Sequence, residues 1–168
     1  MPVTDTLHAQ DDLLHPIDLV EALAQQHEWA FDRLADDQIA MEVEGQWRTY
    51  AITLAWSARD ETLRLICTFS VEPPAHRLGA LLTLLNGVNE RCWDGAFTYW
   101  DEQGLMVWRY GLVLDGGQMA APGQIDRMIA AAVEGSERFY PAFQLVAWSD
   151  QDAEAALQVA IGRTYGRA

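Results

Sequence analysis

The stretch from Gln124 to Trp148 constrains the fold of this chain more than any other. Its apolar residues recur every three or four positions, which places them on one stripe of a helix. The stripe comprises Ile125, Ile129, Ala132, Phe139, Phe143 and Val146, with Ser136 filling the gap in the series. A sheet or another helix has to cover such a stripe. Pro141 lies inside the run and removes a backbone donor, so we expect a kink between Gly135 and Pro141.

Alternating apolar and polar residues predict four successive strands between positions 29 and 70. The apolar sides of the last two strands are Tyr50, Ile52, Leu54 and Trp56, and Leu63, Leu65, Cys67 and Phe69. Gly45-Gln46 is typical of a tight hairpin turn. Pro73-Pro74 ends the fourth strand, because neither proline can donate to a strand ladder. We therefore predict an antiparallel meander.

Helical spacing predicts three further helices and leaves room for a second hairpin. The first helix runs from Pro16 to His27. The second runs from Ala75 to Trp93, with Gly95 as its C-terminal cap or just beyond it. Its apolar side is Leu78, Leu81, Leu82, Leu85, Val88 and Cys92. The hairpin spans residues 97–114, and a last short helix runs from Asp150 to Ile161, with Ser149 and Asp152 as a capping pair.

Runs of strands interrupted by single helices indicate an α+β fold, in which helices pack on one face of an antiparallel sheet. At 168 residues the chain has the usual size of one domain. We expect residues 1–15 to form a flexible N-terminal arm and residues 16–168 to form the domain.

The sheet face opposite the helices carries small and polar side chains, and two interpretations of it remain open. Its members are Thr49, Ala51, Thr53, Arg64, Thr68 and Gly111. This face either meets water or accepts a second subunit or a peptide. Arg109 belongs to the same side of its strand. It is either exposed to water or buried beside an acidic partner, for which Glu90 and Glu137 are the candidates.

The charge of the chain excludes some partners and favours others. Acidic residues number 25 against 11 basic ones, all of them arginine, and the formal net charge is −14. Such a field repels phosphate backbones and anionic membranes, whereas it attracts basic protein segments. No apolar stretch approaches the about 20 residues of a membrane span, and the first ten residues do not resemble a signal peptide. These features predict a cytoplasmic protein.

The sequence contains no grouping that indicates catalysis, a metal or a cofactor. Cys67 and Cys92 have no CxxC spacing and are interpreted as reduced, buried thiols. The histidines His8, His15, His27 and His76 are scattered. The glycines after Asp115 are followed by no P-loop lysine and indicate a turn. We therefore predict no catalytic residue, no metal site and no cofactor.

Three stretches of this chain resemble the YbjN family of bacterial proteins. They are WAFDRLADDQIAMEV, VNERCWDGAFTYWDEQGLMVWRYGLVL and ERFYPAFQLVAW. The resemblance covers Pro16 to Ile161, and it implies a fold like that of type III secretion chaperones and a role in sensory transduction. It carries over no catalytic motif. The positions that match the family pattern are Asn89, Glu90, Trp93, Gly95, Arg109, Phe139, Tyr140, Pro141 and Phe143.

Two functions of different class follow from these observations. We favour a non-catalytic protein-binding or regulatory domain, a homodimer, that holds a basic or amphipathic segment of a protein partner. The alternative is a small-ligand sensor or an undescribed enzyme with a tryptophan-lined pocket. That pocket would be built from Trp93, Trp100, Trp108 and Trp148. The same tryptophans are also interpretable as core residues.

Overall fold

Six strands and four helices make up the part of the chain that a computed structural model describes, residues 15–165. The strands are β1 (Ala30–Ala35), β2 (Gln38–Glu44), β3 (Thr49–Ser57), β4 (Thr62–Ser70), β5 (Ala96–Trp100) and β6 (Leu105–Val113). The helices are α1 (Pro16–Gln26), α2 (Leu78–Asn89), α3 (Pro122–Trp148) and α4 (Ala153–Tyr165). Single turns of 3-10 helix precede α2 and connect β5 to β6. The predicted N-terminal arm, except for His15, lies outside the described residues.

The strands form one antiparallel sheet in the order β1-β2-β3-β4-β6-β5. The predicted meander and second hairpin are thus confirmed, and β1 and β5 are the two edges. The tight turn predicted at Gly45-Gln46 is wrong. Thr49 pairs with Glu44, so the connection runs from Gly45 to Arg48 and is closed by the Gly45 N–H, which donates to the Arg48 carbonyl at 2.8 Å.

One row of directly paired side chains crosses all six strands and forms the floor of the core. The row is Phe31, Met41, Ile52, Cys67, Trp108 and Phe97. All but Phe31 are buried. Helix α1 covers β1 to β3, α3 covers β4 and β6, and α2 covers β5, while α4 packs on α2 and α3. The predicted α+β fold with helices on one face of the sheet is therefore confirmed.

Helix α3 is the central element of the helical layer. Every residue of the predicted apolar stripe is buried, including the polar member Ser136. The helix continues through Pro141, and the kink expected there stays a prediction. Among residues 15–165, no helix combines the length and apolar character needed to cross a membrane.

Helix α2 ends four residues earlier than its sequence pattern predicts, at Asn89 instead of Trp93. The Asn89 side chain binds the backbone of Phe97 and draws the chain away from the helix toward β5. The apolar side also differs, because Leu84 is buried whereas Leu82 is 46% exposed. Gly95 is not a cap, since it lies beyond the helix end, next to β5.

Helix α4 begins at Ala153, and its predicted start at Asp150 is wrong. Asp152 caps the helix, because its carboxylate accepts the N–H of Ala155 at 2.7 Å. Ser149 instead ends α3, where its hydroxyl donates to the Leu145 carbonyl. The two predicted capping residues thus serve different helices.

Candidate functional site

The sheet face that points away from the helices is the candidate binding surface, and we name it the open face. Residues paired directly across an antiparallel sheet share a face. Two rows cross the open face from β1 to β5. They are Asp32, Ala40, Thr53, Ile66, Arg109 and Ala96, and Ala30, Glu42, Ala51, Thr68, Val107 and Thr98. Short side chains prevail on β2, β3 and β4 in these rows, whereas Val107 on β6 is fully buried.

An aromatic groove lies at the β6–β5 end of the open face. Trp93, in the loop before β5, is 95% exposed, and Trp100, at the end of β5, is 38% exposed. Both side chains line a broad groove of about 670 Å³, together with Arg109. Exposed tryptophan is costly in water, and large apolar contacts of this kind mark binding surfaces. The groove thus offers stacking and apolar contact to a partner.

Arg109 points into the aromatic groove and is exposed. Within residues 15–162 it forms no ion pair. Glu137 instead accepts the hydroxyl of Tyr50 at 2.7 Å, and Glu90 lies 3.9 Å from Arg91. The hypothesis that Arg109 is buried beside one of these acids is therefore wrong, and the exposed alternative is correct.

An acidic groove lies at the opposite end of the open face, over β1, β2 and β3. The carboxylates of Asp32 and Glu42 line a groove of about 350 Å³, with alanines between them. Both acids are exposed. They belong to the two rows described above, so the acidic and aromatic grooves share one surface. Sequence patterns did not single out these acids, because their pairing across β1 and β2 shows only in the strand register.

Several of the positions that match the family pattern converge on Phe97. The Asn89 amide donates to the Phe97 carbonyl at 2.9 Å, and its oxygen accepts the Phe97 N–H at 2.7 Å. The Phe97 ring lies 6.1 Å from that of Phe139 and 5.3 Å from that of Phe143. All three rings are buried. These positions hold α2, β5 and α3 together and are structural.

Glu137 and Tyr140, in the ERFYPAFQ block, contact β3 and the loop between β2 and β3 and hold them against α3. The Glu137 carboxylate accepts both the hydroxyl of Tyr50, at 2.7 Å, and the N–H of Trp47, at 3.1 Å. The Arg48 guanidinium lies 5.7 Å above the centre of the half-buried Tyr140 ring. Burial and the Glu137 carboxylate raise the pKa of Tyr50 above its ordinary value. Pro141 is half-buried in the same helix. These contacts of Glu137 and Tyr140 are also structural.

A cleft opens on the helical side, bounded by α3, β6 and the loop from Arg91 to Gly95. It has two adjoining lobes, of about 150 Å³ and about 200 Å³, which share Trp108, Asp94 and Ala131 as walls. Trp108 is 2% exposed. We name this space the Trp108 cleft.

The four tryptophans suggested as the lining of a single pocket lie in three places. Trp108 lines the cleft, whereas Trp93 and Trp100 line the groove on the other side of the sheet. Trp148 is 62% exposed at the end of α3 and lines neither space. The predicted four-tryptophan pocket is therefore wrong, because β-strand alternation puts Trp100 and Trp108 on opposite faces.

The two thiols are unsuited to nucleophilic chemistry at neutral pH. Cys67 is buried with its Sγ 3.6 Å from the Ser136 hydroxyl, and burial raises its pKa to about 12. Burial also raises the pKa of the half-buried Cys92. A thiol is nucleophilic as the thiolate, and these environments disfavour that form.

Comparisons with known proteins agree with this architecture. Residues 16–145 match the model of the YbjN family, which is described as "Putative bacterial sensory transduction regulator". A crystal structure described as "YbjN, a putative transcription regulator from E. coli" is similar to the chain, with a TM-score of 0.53, 11% identity, and coverage of 88% of this chain and 93% of the other. That similarity shows the fold alone.

A second solved structure is similar to a smaller part of the chain. It is described as the HopA1-SchA chaperone-effector complex, with a TM-score of 0.43 and 17% identity. The alignment covers 69% of this chain and 85% of the other. A similarity this low supports no argument about function. No curated protein matches the chain.

Proposed function

The chain belongs to the YbjN family, and we propose that it is a non-catalytic protein-binding domain with a regulatory role. The open face is its binding surface. The observation that carries this proposal is that one face of the sheet combines an aromatic groove, lined by Trp93 and Trp100, with an acidic groove, lined by Asp32 and Glu42. A regulatory role agrees with the description of the family.

The two grooves together define the chemistry of the client. Basic side chains complement Asp32 and Glu42, and apolar side chains fill the space beside Trp93 and Trp100. The net charge of −14 favours a basic client over the whole surface. We therefore propose that the client segment is amphipathic and basic.

The geometry of the sheet sets the length of that segment. Strands β2 and β6 are three strands apart in the sheet order. With about 4.8 Å between neighbouring strands, the grooves lie about 15 Å apart. An extended chain rises about 3.3 Å per residue, so about five residues bridge the two grooves. A short segment is enough to place basic residues at one end and apolar residues at the other.

Arg109 supplies a polar contact inside the aromatic groove. Its guanidinium is exposed and forms no ion pair within residues 15–162. It is thus available to donate to backbone carbonyls or to a carboxylate of the client. This contact fixes the orientation of a segment that apolar contact alone would leave undetermined.

We also propose that the protein is a cytoplasmic homodimer. Apolar side chains exposed on the helical layer support a self-association surface: Leu82 is 46% and Val159 is 36% exposed. The free thiols Cys67 and Cys92 agree with a reducing compartment. Sedimentation equilibrium of the wild type and of Leu82→Glu tests the dimer, which the variant should weaken.

Co-purification from source lysate tests the binding proposal. Tagged wild type, Trp93→Ala, Trp100→Ala and the matched control Trp148→Ala are compared by quantitative mass spectrometry. We expect a protein recovered by the wild type and the control to be depleted about tenfold or more with the two groove variants, as for a contact at the centre of an interface. Equal recovery with all four would overturn the assignment of the open face.

Arg109→Ala provides a second arm of the same experiment. Because Arg109 is exposed and forms no ion pair in the described chain, we expect its removal to leave the melting temperature unchanged and to weaken client recovery. A fall of many degrees in melting temperature would instead show that Arg109 stabilises the fold.

A further inference from the structure

The Trp108 cleft contains a hydrogen-bond donor that no residue in the described part of the chain accepts. Trp108 is 2% exposed, and its indole N–H has no acceptor within residues 15–162. Yet every described side-chain nitrogen or oxygen that is sealed from solvent has a partner. The Nε1 atom must therefore reach the open space of the cleft. The N–H is thus open to water in the cleft, and a ligand oxygen can take the place of that water as its acceptor.

The position of the indole ring places this donor in the larger lobe. A Cβ atom on Gly135 would lie 3.4 Å from Nε1 of Trp108, so the nitrogen edge of the ring faces Gly135 on α3. Gly135 lines only the lobe of about 200 Å³. We name this space the polar lobe.

Two charges without ion-pair partners line the same polar lobe. Arg138 lies 4.9 Å above the centre of the Phe139 ring and forms no ion pair with a described residue. Glu134, one turn earlier on α3, likewise has none within residues 15–162. The other charged residues are occupied: Arg127 lies 3.8 Å from Asp94, and Arg91 lies 3.9 Å from Glu90. Among the described residues, the lobe thus presents one cation and one anion that form no ion pair.

The smaller lobe is mainly apolar, although Asp94, Gln124 and Arg127 also line it, and it has the size of a ring. Its walls include Trp108, Tyr110, Leu112 and Met128, and its volume is about 150 Å³. A dry cavity of about this volume holds benzene. Since Trp108 and Ala131 line both lobes, one molecule can occupy them together.

We propose that the Trp108 cleft binds a free α-amino acid with a large apolar side chain. Arg138 and the Trp108 N–H hold the carboxylate, Glu134 holds the ammonium group, and the apolar lobe takes the side chain. A zwitterion also suits a protein of net charge −14, because it carries no net charge to be repelled. The cleft lies on the helical side of the sheet, and this inference does not rest on the client-binding proposal.

Titration of the full chain with L-phenylalanine, followed through the indole N–H resonances in ¹H–¹⁵N NMR spectra, tests the site. We expect one of the tryptophan resonances, assigned to Trp108 by its loss in Trp108→Phe, to shift in a saturable way. 3-Phenylpropanoate, which lacks the ammonium group, and phenethylamine, which lacks the carboxylate, should each bind about tenfold more weakly, since each loses one charged contact. L-Leucine and L-methionine extend the panel of side chains.

Variants of the cleft distinguish specific binding at this site from an unspecific effect of the ligand on the protein. Arg138→Ala and Glu134→Ala remove exposed side chains, and we expect each to weaken phenylalanine binding about tenfold while the fold persists. Arg59→Ala, in the exposed turn between β3 and β4, is the matched control and should bind as the wild type does. Ala131→Leu fills the wall between the lobes and should abolish binding.

Two results would overturn the proposal. One is the absence of a saturable shift of the Trp108 resonance with all three amino acids at millimolar concentration. The other is equal affinity for phenylalanine and for either of its singly charged analogues. That result would show that the site recognises only a carboxylate or only an ammonium group.

Discussion

The side-chain amide of Asn89 forms two hydrogen bonds with the backbone of Phe97: it donates to the Phe97 carbonyl at 2.9 Å and accepts the Phe97 N–H at 2.7 Å. These two bonds imitate the pairing of a neighbouring strand at the free edge of β5. They join the end of α2 to the sheet. They also hold both ends of the segment that carries Trp93.

Replacing Asn89 by alanine should destabilise the protein by about 1–3 kcal/mol, because both backbone groups of Phe97 lose their partner in a half-buried place. The measurement is the free energy of unfolding in urea. Asn86→Ala is the matched control on the same helix, since its exposed amide makes one long contact, 3.5 Å, with Glu90. Equal effects of the two variants would contradict the structural role of Asn89.

Replacing Gly95 by alanine should destabilise the fold, because a Cβ atom there would overlap the indole ring of Trp108 and approach the Arg109 carbonyl oxygen to 2.9 Å. Overpacking of this kind costs about 1–3 kcal/mol. In Gly79→Ala, within α2, the new methyl group meets no atom within 4 Å, so that variant should be stabilised by about 0.5–1 kcal/mol. Thermal unfolding of both variants provides the measurement, and a stable Gly95→Ala would refute the close approach of the ring.

Truncating Phe143 to alanine should cost about 3–5 kcal/mol, since the ring is fully buried against Phe69 and Phe97. Denaturant unfolding measures the loss. Trp148→Ala, five residues later on the same helix, removes a side chain that is 62% exposed and should change stability by at most about 0.5 kcal/mol. A small effect at Phe143 would contradict its place in the core.

The stability of the protein should fall as the pH rises above about 9, because of the Cys67 thiol. Its pKa is about 12 in the folded protein and about 9.0 in an exposed thiol, so the unfolded chain releases the proton first. The folded state then binds more protons, and the free energy of unfolding decreases by at most about 1.4 kcal/mol per pH unit. The contribution is complete below pH 9 and is lost toward pH 12.

Urea unfolding between pH 8 and pH 10 measures this dependence, with Cys67→Ala as the control that should show a shallower decrease. The chain contains no lysine, whose titration would otherwise overlap this range. Tyr50, whose pKa is also raised, adds to the decrease only above about pH 10. Identical slopes in the wild type and the variant would exclude Cys67 as the cause.

Most of the fold follows from the sequence because the core is periodic. The alternation of Tyr50, Ile52 and Leu54 predicts β3 correctly, and the three-and-four spacing predicts the buried side of α3. The end of α2 does not follow, because nothing between Asn89 and Trp93 breaks a helix locally. The helix ends there because Asn89 bonds to Phe97, a contact that depends on the finished sheet.

The candidate sites follow from the sequence only in part. Alternation places Arg109 on the open face, but not Asp32 and Glu42 in a common groove, since that requires the register of β1 against β2. The Trp108 cleft depends on a contact between β6 and α3 that has no signal in either segment. A sequence pattern describes one helix or strand at a time. It therefore does not predict a binding surface that several elements build together.

The loop from Arg91 to Gly95 is a wall shared by two spaces. Its Trp93 lines the aromatic groove, its Cys92 lines the polar lobe, and its Asp94 lines both. Occupation of either space therefore acts on the same five residues. Thermodynamic linkage makes such an effect reciprocal. If a ligand in the cleft changes the affinity of the groove for the client by some factor, the client changes the affinity of the cleft for that ligand by the same factor. If both proposed ligands bind, this loop is the physical link through which each would affect the binding of the other across the sheet.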